Sequence, residues 1–158
     1  MEQGVRYHIT HETVAELAVR KPLLVRPETP VRQVAAQMRE AQLGCAIVVD
    51  ATERPLGKFT QRQLLKLLVE SGGKLDQPVS AVMYQNADTV SMDTPVADLV
   101  RMMGQRQIRY LTVVDQEGKV VGLTGQKGVM EYLADHFPRH VKVQRMKPLI
   151  SMEEREGA

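Results

Sequence analysis

Two stretches of this sequence, TPVRQVAAQMREAQLGCAIVVD at 29–50 and TPVADLVRMMGQRQIRYLTVVD at 94–115, match one another. The match extends without a gap from 22–70 to 87–135, at a constant offset of 65 residues. It holds 12 identities in 49 positions, whereas average composition gives roughly three by chance. A gapless repeat of this length indicates the architecture before any local assignment, and it predicts two equivalent folding units.

Each copy is predicted to form a strand, a helix, two strands and a helix, in that order. The Thr-Pro pairs at 29–30 and 94–95 predict helix starts, with the hydroxyl as a cap and the proline in the first turn. The runs at 45–49 and 110–114 are almost continuously apolar, which is typical of strands buried on both faces. Turn-forming residues and a short strand follow each run.

Neither copy is large enough to cover both faces of its own sheet, so the two are expected to stack with pseudo-two-fold symmetry. The predicted fold class is mixed α and β (α/β or α+β), with two β-α-β-β-α repeats. The predicted organisation is an N-terminal segment and lead-in helix at 1–21, repeat one at 22–70, a linker and lead-in helix at 71–86, repeat two at 87–136 and a basic tail at 137–158.

The second copy has an unusually apolar helix. Five of the eight positions in 96–103 hold valine, leucine or methionine, a wider arc than one packed face requires. A thick internal core and a second chain packed on this helix both explain the arc. Closed two-fold assemblies are the commonest oligomers, so a homodimer is favoured.

The composition argues against several classes of protein. The net charge is only +2, from 21 basic and 19 acidic residues, so binding to nucleic acid is disfavoured. The longest apolar run has five residues, which is too short to cross a membrane. The N-terminus carries no cationic-then-apolar signal pattern, and one cysteine forms no internal disulfide. We therefore expect a soluble, cytoplasmic protein without a membrane partner.

The motifs IRYLTVVD at 108–115 and EGKVVGL at 117–123, preceded by VSAVM at 79–83, resemble the core and entry segments of CBS domains. The resemblance covers about residues 10–136 and implies a tandem CBS pair, or Bateman module, that often dimerises. Such modules are regulatory, many bind adenosine ligands between the copies, and they catalyse nothing. Repeat one carries the same skeleton: TPV at 29–31, AIVVD at 46–50 and PLG at 55–57.

The ligand-binding motif of the family runs Gly, two apolar residues, Ser or Thr, two variable residues, then Asp. The first copy has GKFTQRQ at 57–63, which keeps Thr60 but has Gln63 where the family binds ribose with an aspartate. The second copy has GLTGQKG at 122–128, in which glycines replace both side chains. A glutamine accepts a hydrogen bond without the charge that strengthens it. The resemblance therefore implies a weakened first site and a poorer second one.

The motif residues also have structural interpretations. Thr60 and Gln63 have the spacing of a capping box, which needs no ligand. At the second helix start, open backbone N–H groups and Lys127 favour an anion, and Arg109 is placed to serve the same phosphate. Arg109 and Lys58 fit equally well as surface cations or members of ion pairs.

A ligand is expected to contact both copies. Lys58, Thr60 and Gln63 would hold one ligand. A second ligand or a lone phosphate would be held by Arg109, Thr124 and Lys127. The pairs Leu24 with Ala46 and Thr89 with Leu111 would sandwich a base. The full set of candidate nucleotide-binding residues is Leu24, Ala46, Lys58, Thr60, Gln63, Thr89, Arg109, Leu111, Thr124 and Lys127.

The expected function is ligand sensing: AMP, ADP, ATP or S-adenosylmethionine binds between the copies, shifts their relative orientation and so signals to a regulated protein partner. The alternative is a structural dimerisation or docking module that has lost nucleotide binding, which the missing aspartates support. Walker, Rossmann and G-x-S-x-G patterns are absent from the sequence, so no catalytic residues are expected and an enzyme is disfavoured.

Three further features were weighed as possible sites. The histidines come in two pairs, His8 with His11 and His136 with His140, but no cysteine or carboxylate cluster supports a metal site. Cys45 lies in an apolar strand and is interpreted as a buried small residue instead of a nucleophile. The basic stretch 139–147 suits nucleic acid or an anionic surface, although a solvated or docked tail is favoured.

Overall fold

The computed structural model describes residues 2–70 and 72–137. In those residues no helix is long and apolar enough to cross a membrane. Two single 3-10 turns, Val14–Glu16 and Val79–Ala81, precede the two repeats. The helices and strands of the described residues follow in the order α1 (Glu2–His11), β1 (Leu24–Val25), α2 (Val31–Glu40), β2 (Cys45–Val49), β3 (Pro55–Thr60), α3 (Gln61–Glu70), β4 (Thr89–Ser91), α4 (Val96–Arg106), β5 (Tyr110–Val114), β6 (Val120–Gly125) and α5 (Gln126–His136).

The two repeats have one topology. Their sheets are ordered β1-β2-β3 and β4-β5-β6, and in each the first pair of strands is parallel and the second antiparallel. Even the irregularity in the antiparallel pair recurs at equivalent places, between Val48 and Val49 and between Val113 and Val114. The predicted order of elements and the mixed α and β class are therefore confirmed.

The central strand β2 shows why its sequence is apolar throughout. All five of its residues are buried. Ala46 and Val48 belong to the core of repeat one, whereas the other three residues share a core with Val120 and Leu123 of β6. Alternate side chains of a strand point to opposite faces, so β2 packs against helices on one side and against the other repeat on the other. The stacking of the two sheets follows from this shared core.

The predicted hydroxyl caps of the two repeat-opening helices are wrong. The capping residues are Pro30 and Pro95, and neither helix has a side-chain cap. The Thr94 hydroxyl instead accepts a hydrogen bond from the last residue of β4, at 3.0 Å. A free donor of α2, the Val31 N–H, is satisfied by the Gln77 carbonyl at 3.0 Å. A backbone carbonyl from a distant segment therefore replaces the side-chain cap. The local sequence gives no sign of this contact.

The segments before the repeats exchange places. Val14 and Leu17 precede repeat one in the sequence, yet they are buried in the core of repeat two. Val79 precedes repeat two and is buried in the core of repeat one. The chain therefore passes twice between the repeats, and each core is completed by residues that are far away in sequence.

Each exchanged segment also pairs with the edge of a sheet. The backbones of Tyr84 and Lys58 exchange hydrogen bonds of 2.9 and 3.0 Å, and those of Arg20 and Leu123 exchange two of 2.9 Å. Close approach on the first side requires a glycine, since a Cβ at Gly57 would lie 2.2 Å from the Tyr84 carbonyl oxygen. The family's motif glycine thus has a packing role here.

The apolar arc of α4 is used mostly within the chain. Val96 and Leu99 are fully buried, and Met102 and Met103 pack against the core of repeat two. Of the five large apolar side chains of the arc, only Val100 is substantially exposed, at 40%. The thick-core interpretation of the arc therefore accounts for most of it.

Candidate functional site

A cleft of about 520 Å³ opens between the two repeats. This volume falls within the roughly 300–1,000 Å³ that is usual for small-molecule sites. Both repeats and the segment that connects them contribute to its walls. The lining residues are Lys58, Thr60, Gln61, Arg62 and Leu65 of repeat one, Tyr84 and Asn86 of the connecting segment, and Asp88, Arg106, Gln107, Ile108, Arg109 and Tyr110 of repeat two.

Two changes of chain direction bring these residues together. On one side β3 ends at Thr60 and α3 begins at the next residue, whose N–H donates to the Gly44 carbonyl at 3.1 Å. On the other side α4 ends at Arg106, and Gln107 adopts a left-handed conformation with φ of 52°. That turn ends α4 and leads the chain through Arg109 into β5.

The cleft is strongly basic. Four cationic side chains and one carboxylate line it, a formal net charge of +3. Arg62 and Arg109 are exposed, and within 2–70 and 72–137 neither guanidinium group has a hydrogen-bond or ion-pair partner. Uncompensated cations in a concave site concentrate anions from solution. The first property of this site is therefore affinity for negative charge.

A buried ion pair joins the repeats beneath the cleft. The Lys58 ammonium lies 2.6 Å from Asp88 Oδ2, and the two side chains are 5% and 7% exposed. The ammonium also donates to the Tyr110 carbonyl at 3.1 Å. Arg106 holds the other carboxylate oxygen of Asp88 at 3.0 Å. Lys58 is therefore part of a structural network, with two of its donors already used.

Gln63 is also committed to the protein. Its Oε1 accepts the Thr60 N–H at 2.8 Å, and its Nε2 donates to the Val82 carbonyl at 2.9 Å. The backbone half of the predicted capping box is thus present. The side chain is buried and does not line the cleft. It holds the start of α3 and the connecting segment together instead of facing a ligand.

The structure brings Lys58, Thr60 and Arg109 to this cleft and places the other candidates elsewhere. Arg109, which the sequence places at a second site, lines the same cleft as Lys58. The reason is that the repeats pack closely here: the side chain of Tyr110, at the start of β5, reaches Gly44, just before β2, where a Cβ would lie 2.0 Å from the tyrosine hydroxyl. The candidates outside the cleft are Leu24, Ala46, Gln63, Thr89, Leu111, Thr124 and Lys127.

The expected base sandwich does not form here. Ala46 and Leu111 are fully buried, each in the core of its own repeat, so neither reaches the cleft. In the second motif the Thr124 hydroxyl is buried without a hydrogen-bond partner among the described residues. A Cβ at Gly128 would lie 2.9 Å from it. The Lys127 side chain is 70% exposed and 4.0 Å from Glu131.

Ten of the thirteen lining residues are not among the candidate nucleotide-binding residues, and those that shape the cleft most are Tyr84, Asp88, Arg106 and Tyr110. One signal was available, because Lys58 occupies a motif position that is apolar in the family and is leucine in the second copy. A lysine there needs a buried acid as its partner. Which acid it pairs with depends on the packing of the repeats. Tyr84, Arg106 and Tyr110 lie outside the motif and become neighbours of Lys58 only when the repeats pack.

Cys45 and the histidines form no reactive cluster in the described residues. Burial raises the pKa of the Cys45 thiol to about 12, with the charge of Lys58 opposing the shift. The interpretation of Cys45 as a buried small residue is confirmed. His8 Nδ1 lies 2.6 Å from Glu12. In 2–70 and 72–137 no group of three histidine, cysteine or acidic residues is placed to hold a metal ion.

Two β-α-β-β-α repeats that share a core, with a cleft formed by both, define a paired-repeat module of the CBS type. The model of the CBS domain family matches the chain twice, at 14–70 and 79–135. The chain therefore belongs to the CBS domain family, as the motifs had implied.

Curated relatives and solved structures agree with this assignment. An uncharacterised 17.7 kDa protein of Acidianus ambivalens is 29% identical over 122 residues, which is 77% of this chain and 73% of that one. The CBS domain pair of protein MJ0100, in complex with 5′-methylthioadenosine and S-adenosyl-L-methionine, superposes with TM-score 0.71 at 18% identity. Its match covers 78% of this chain and 97% of that one.

A CBS domain protein of Pyrobaculum aerophilum complexed with AMP gives TM-score 0.67 at 24% identity, over 78% of this chain and 98% of that one. At these identities the two structures show the fold alone. The chain spans 61% of a relative from Methanopyrus kandleri. It also matches 40% of the arabinose 5-phosphate isomerase GutQ of Escherichia coli, at 28% identity.

Proposed function

We propose that this chain is a regulatory module that binds a small adenosine-type anion in the cleft between its repeats and transmits its occupancy to a partner protein. The observation that carries the proposal is the cleft itself, whose walls come from both repeats and whose net charge is +3. We propose a regulatory role because the cations and the apolar wall of the cleft are suited to binding a ligand.

The cleft has a part suited to each portion of a nucleotide. Tyr84 is 43% exposed and Ile108 is half-buried, so together they offer an aromatic and an apolar surface to a base. Arg62 and Arg109 offer unpaired guanidinium groups to a phosphate. Structures of the same fold hold AMP, 5′-methylthioadenosine and S-adenosylmethionine, which makes adenosine compounds the first ligands to test.

Transmission follows from where the cations lie. Arg62 belongs to repeat one and Arg109 to repeat two, so an anion bridging them favours one orientation of the repeats. A ligand shifts the equilibrium only as far as its affinities for the two orientations differ. The ion pair between Lys58 and Asp88 links the repeats at the same place and limits how far they rotate.

A second candidate is a structural module that has lost nucleotide binding. The observation in its favour is that Gln63, which replaces the family's ribose-binding aspartate, is fully engaged by Thr60 and Val82. The base-flanking positions Ala46 and Leu111 are also buried away from the cleft.

Calorimetric titration of the purified chain with AMP, ADP, ATP and S-adenosylmethionine separates the two candidates. Binding of any one supports the sensor, and it should raise the stability by about 2.7 kcal/mol at 100 times its dissociation constant. The Tyr84→Ala variant should weaken that binding. Silence for all four ligands at millimolar concentration removes the adenosine part and leaves the structural module.

We also propose a homodimer, now supported by a different surface. Leu65 and Val69 of α3 are 63% and 84% exposed, and Met130 of α5, the repeat-two equivalent of Leu65, is 50% exposed. Burying such side chains against a second copy is favourable. Sedimentation velocity should give a dimer that the double variant Leu65→Glu, Val69→Glu converts to a monomer. A wild-type monomer at high micromolar concentration refutes this assembly.

A further inference from the structure

We infer that the cleft selects its ligand by the phosphate group and is indifferent to the ribose hydroxyls. Phosphorylated nucleotides are therefore bound, with or without a 2′-hydroxyl, while neutral and cationic adenosine compounds are excluded. The inference rests on the proposed function and specifies the ligand class of the same site.

The protein leaves part of the positive charge of the cleft unneutralised, and this charge favours a phosphate. Lys58 and Asp88 neutralise each other in the buried pair, and Arg106 shares that carboxylate while remaining 52% exposed. Arg62 and Arg109 have no acidic partner in the described part of the chain. Planar guanidinium groups match phosphate oxygens in charge and geometry. A phosphomonoester carries nearly two negative charges at neutral pH.

The same charges act against the other adenosine compounds. 5′-Methylthioadenosine is neutral and gains nothing from the arginines. S-Adenosylmethionine has a net charge of +1 at neutral pH, because its sulfonium and ammonium groups outweigh its one carboxylate, and a cleft of net charge +3 repels it.

The carboxylate acceptor of the cleft is already used within the protein, and this bears on the recognition of ribose. Selective binding of ribose hydroxyls calls for a free carboxylate or a similar strong acceptor. Gln63 is turned away and bonded within the protein. Asp88 is the carboxylate among the lining residues, but it is 6% exposed and both its oxygens are held, by Lys58 and Arg106. The cleft thus lacks the group that makes ribose a recognition element.

The test is calorimetric titration of the full chain with AMP, 2′-deoxy-AMP, 5′-methylthioadenosine and S-adenosylmethionine. We expect AMP and 2′-deoxy-AMP to bind with dissociation constants within about threefold of each other, because no charged acceptor contacts the 2′-hydroxyl. We expect 5′-methylthioadenosine and S-adenosylmethionine to bind at least about tenfold more weakly than AMP. Inorganic pyrophosphate should compete with ADP.

Variants of two arginines test whether the selection for phosphate depends on Arg109. Arg109→Gln should weaken AMP binding about tenfold and leave binding of 5′-methylthioadenosine unchanged, because only the phosphate contact is lost. Arg101→Gln is the matched control, since Arg101 lies on α4 of repeat two, is exposed, and pairs with Asp98 outside the cleft. It should bind AMP like the wild type.

The outcomes separate this inference from the proposed function. If 5′-methylthioadenosine binds as tightly as AMP, or AMP binds tenfold more tightly than 2′-deoxy-AMP, the inference fails and the nucleotide sensor stands. If pyrophosphate binds as tightly as ADP, phosphate selection is supported and the adenosine part of the proposed function fails. If none of the compounds binds, both fail together.

Discussion

Lys58 departs from the motif of its family by placing a charge where an apolar side chain is usual, and the structure shows how the charge is accommodated. Its ammonium is buried against Asp88 and the Tyr110 carbonyl. Lys58→Leu should lower the free energy of unfolding by about 3 kcal/mol, because Asp88 loses one of its two cations inside the protein. Urea unfolding followed by circular dichroism measures this difference.

The double variant Lys58→Leu, Asp88→Asn is the control for that prediction. It removes both charges, and asparagine tolerates the left-handed backbone at position 88, where φ is 49°. It should recover most of the lost stability. Lys127→Leu, at an exposed pair 4.0 Å apart, should change it by under about 1 kcal/mol. Equal effects of Lys58→Leu and Lys127→Leu contradict the buried network.

The buried thiol of Cys45 should lower the free energy of unfolding as the pH rises above 9. Its pKa is about 12 in the folded protein against an ordinary value of 9.0, because burial disfavours the thiolate. Above pH 9 the thiol ionises in the unfolded chain but stays protonated in the folded protein, which stabilises the unfolded state. The folded protein therefore keeps its full free energy of unfolding below pH 9 and loses part of it as the pH rises toward 12. The wild type should therefore lose about 1.4 kcal/mol per pH unit above pH 9 relative to Cys45→Ala.

Urea unfolding of both proteins at pH 8 and pH 10 tests the role of Cys45. Subtracting the Cys45→Ala curve removes the titration of every other group that the two proteins share. A wild-type advantage of the same size at both pH values contradicts a buried neutral thiol.

At the scale of elements, replacing glycine by alanine should have opposite effects on stability at two positions, one in a strand and one in a helix. A Cβ at Gly57 in β3 would lie 2.2 Å from the Tyr84 carbonyl oxygen, which accepts a hydrogen bond from Lys58. Gly57→Ala should therefore destabilise the protein by roughly 2 kcal/mol. Gly104 lies within α4 with nothing within 4 Å of its Cβ position, so Gly104→Ala should stabilise by about 1 kcal/mol. Thermal unfolding should move in opposite directions, and two shifts of the same sign contradict the packing at Gly57.

The order of these elements was predictable because it depends on local patterns that the repeat displays twice. The run 45–49 predicted a strand buried on both faces, and the lead-in helix predicted within 71–86 corresponds to the single 3-10 turn Val79–Ala81. The helix caps were not predictable in the same way. Gln77 supplies the acceptor for Val31, and no local rule connects residues that are 46 positions apart.

At the scale of the whole molecule, the sequence located part of the cleft. The motif pointed to Lys58, Thr60 and Arg109, which do line it. It gave no sign of Asp88 and Arg106, because they lie outside the motif and meet Lys58 only when the repeats pack. Motif reasoning finds residues that repeat, whereas this site is built from residues in which the two copies differ. The predicted basic tail lies beyond the described residues.

The exchange of lead-in segments makes a prediction for the whole molecule. Val14 and Val79 are both fully buried, each in the core of the repeat that it does not precede. Val14→Ala should therefore loosen repeat two, and Val79→Ala should loosen repeat one, each by roughly 2 kcal/mol from lost burial and the cavity. Native-state hydrogen exchange of the full chain reads out each sheet separately.

In that experiment Val14→Ala should lower protection in β5 and β6 while β2 and β3 keep theirs, and Val79→Ala should do the reverse. The two variants control each other, because the deleted groups are the same and both positions are 0% exposed. Loosening of the repeat next in sequence contradicts the exchange. Equal loss in both sheets shows that the repeats open as a single unit, and in that case a ligand in the cleft stabilises both repeats together.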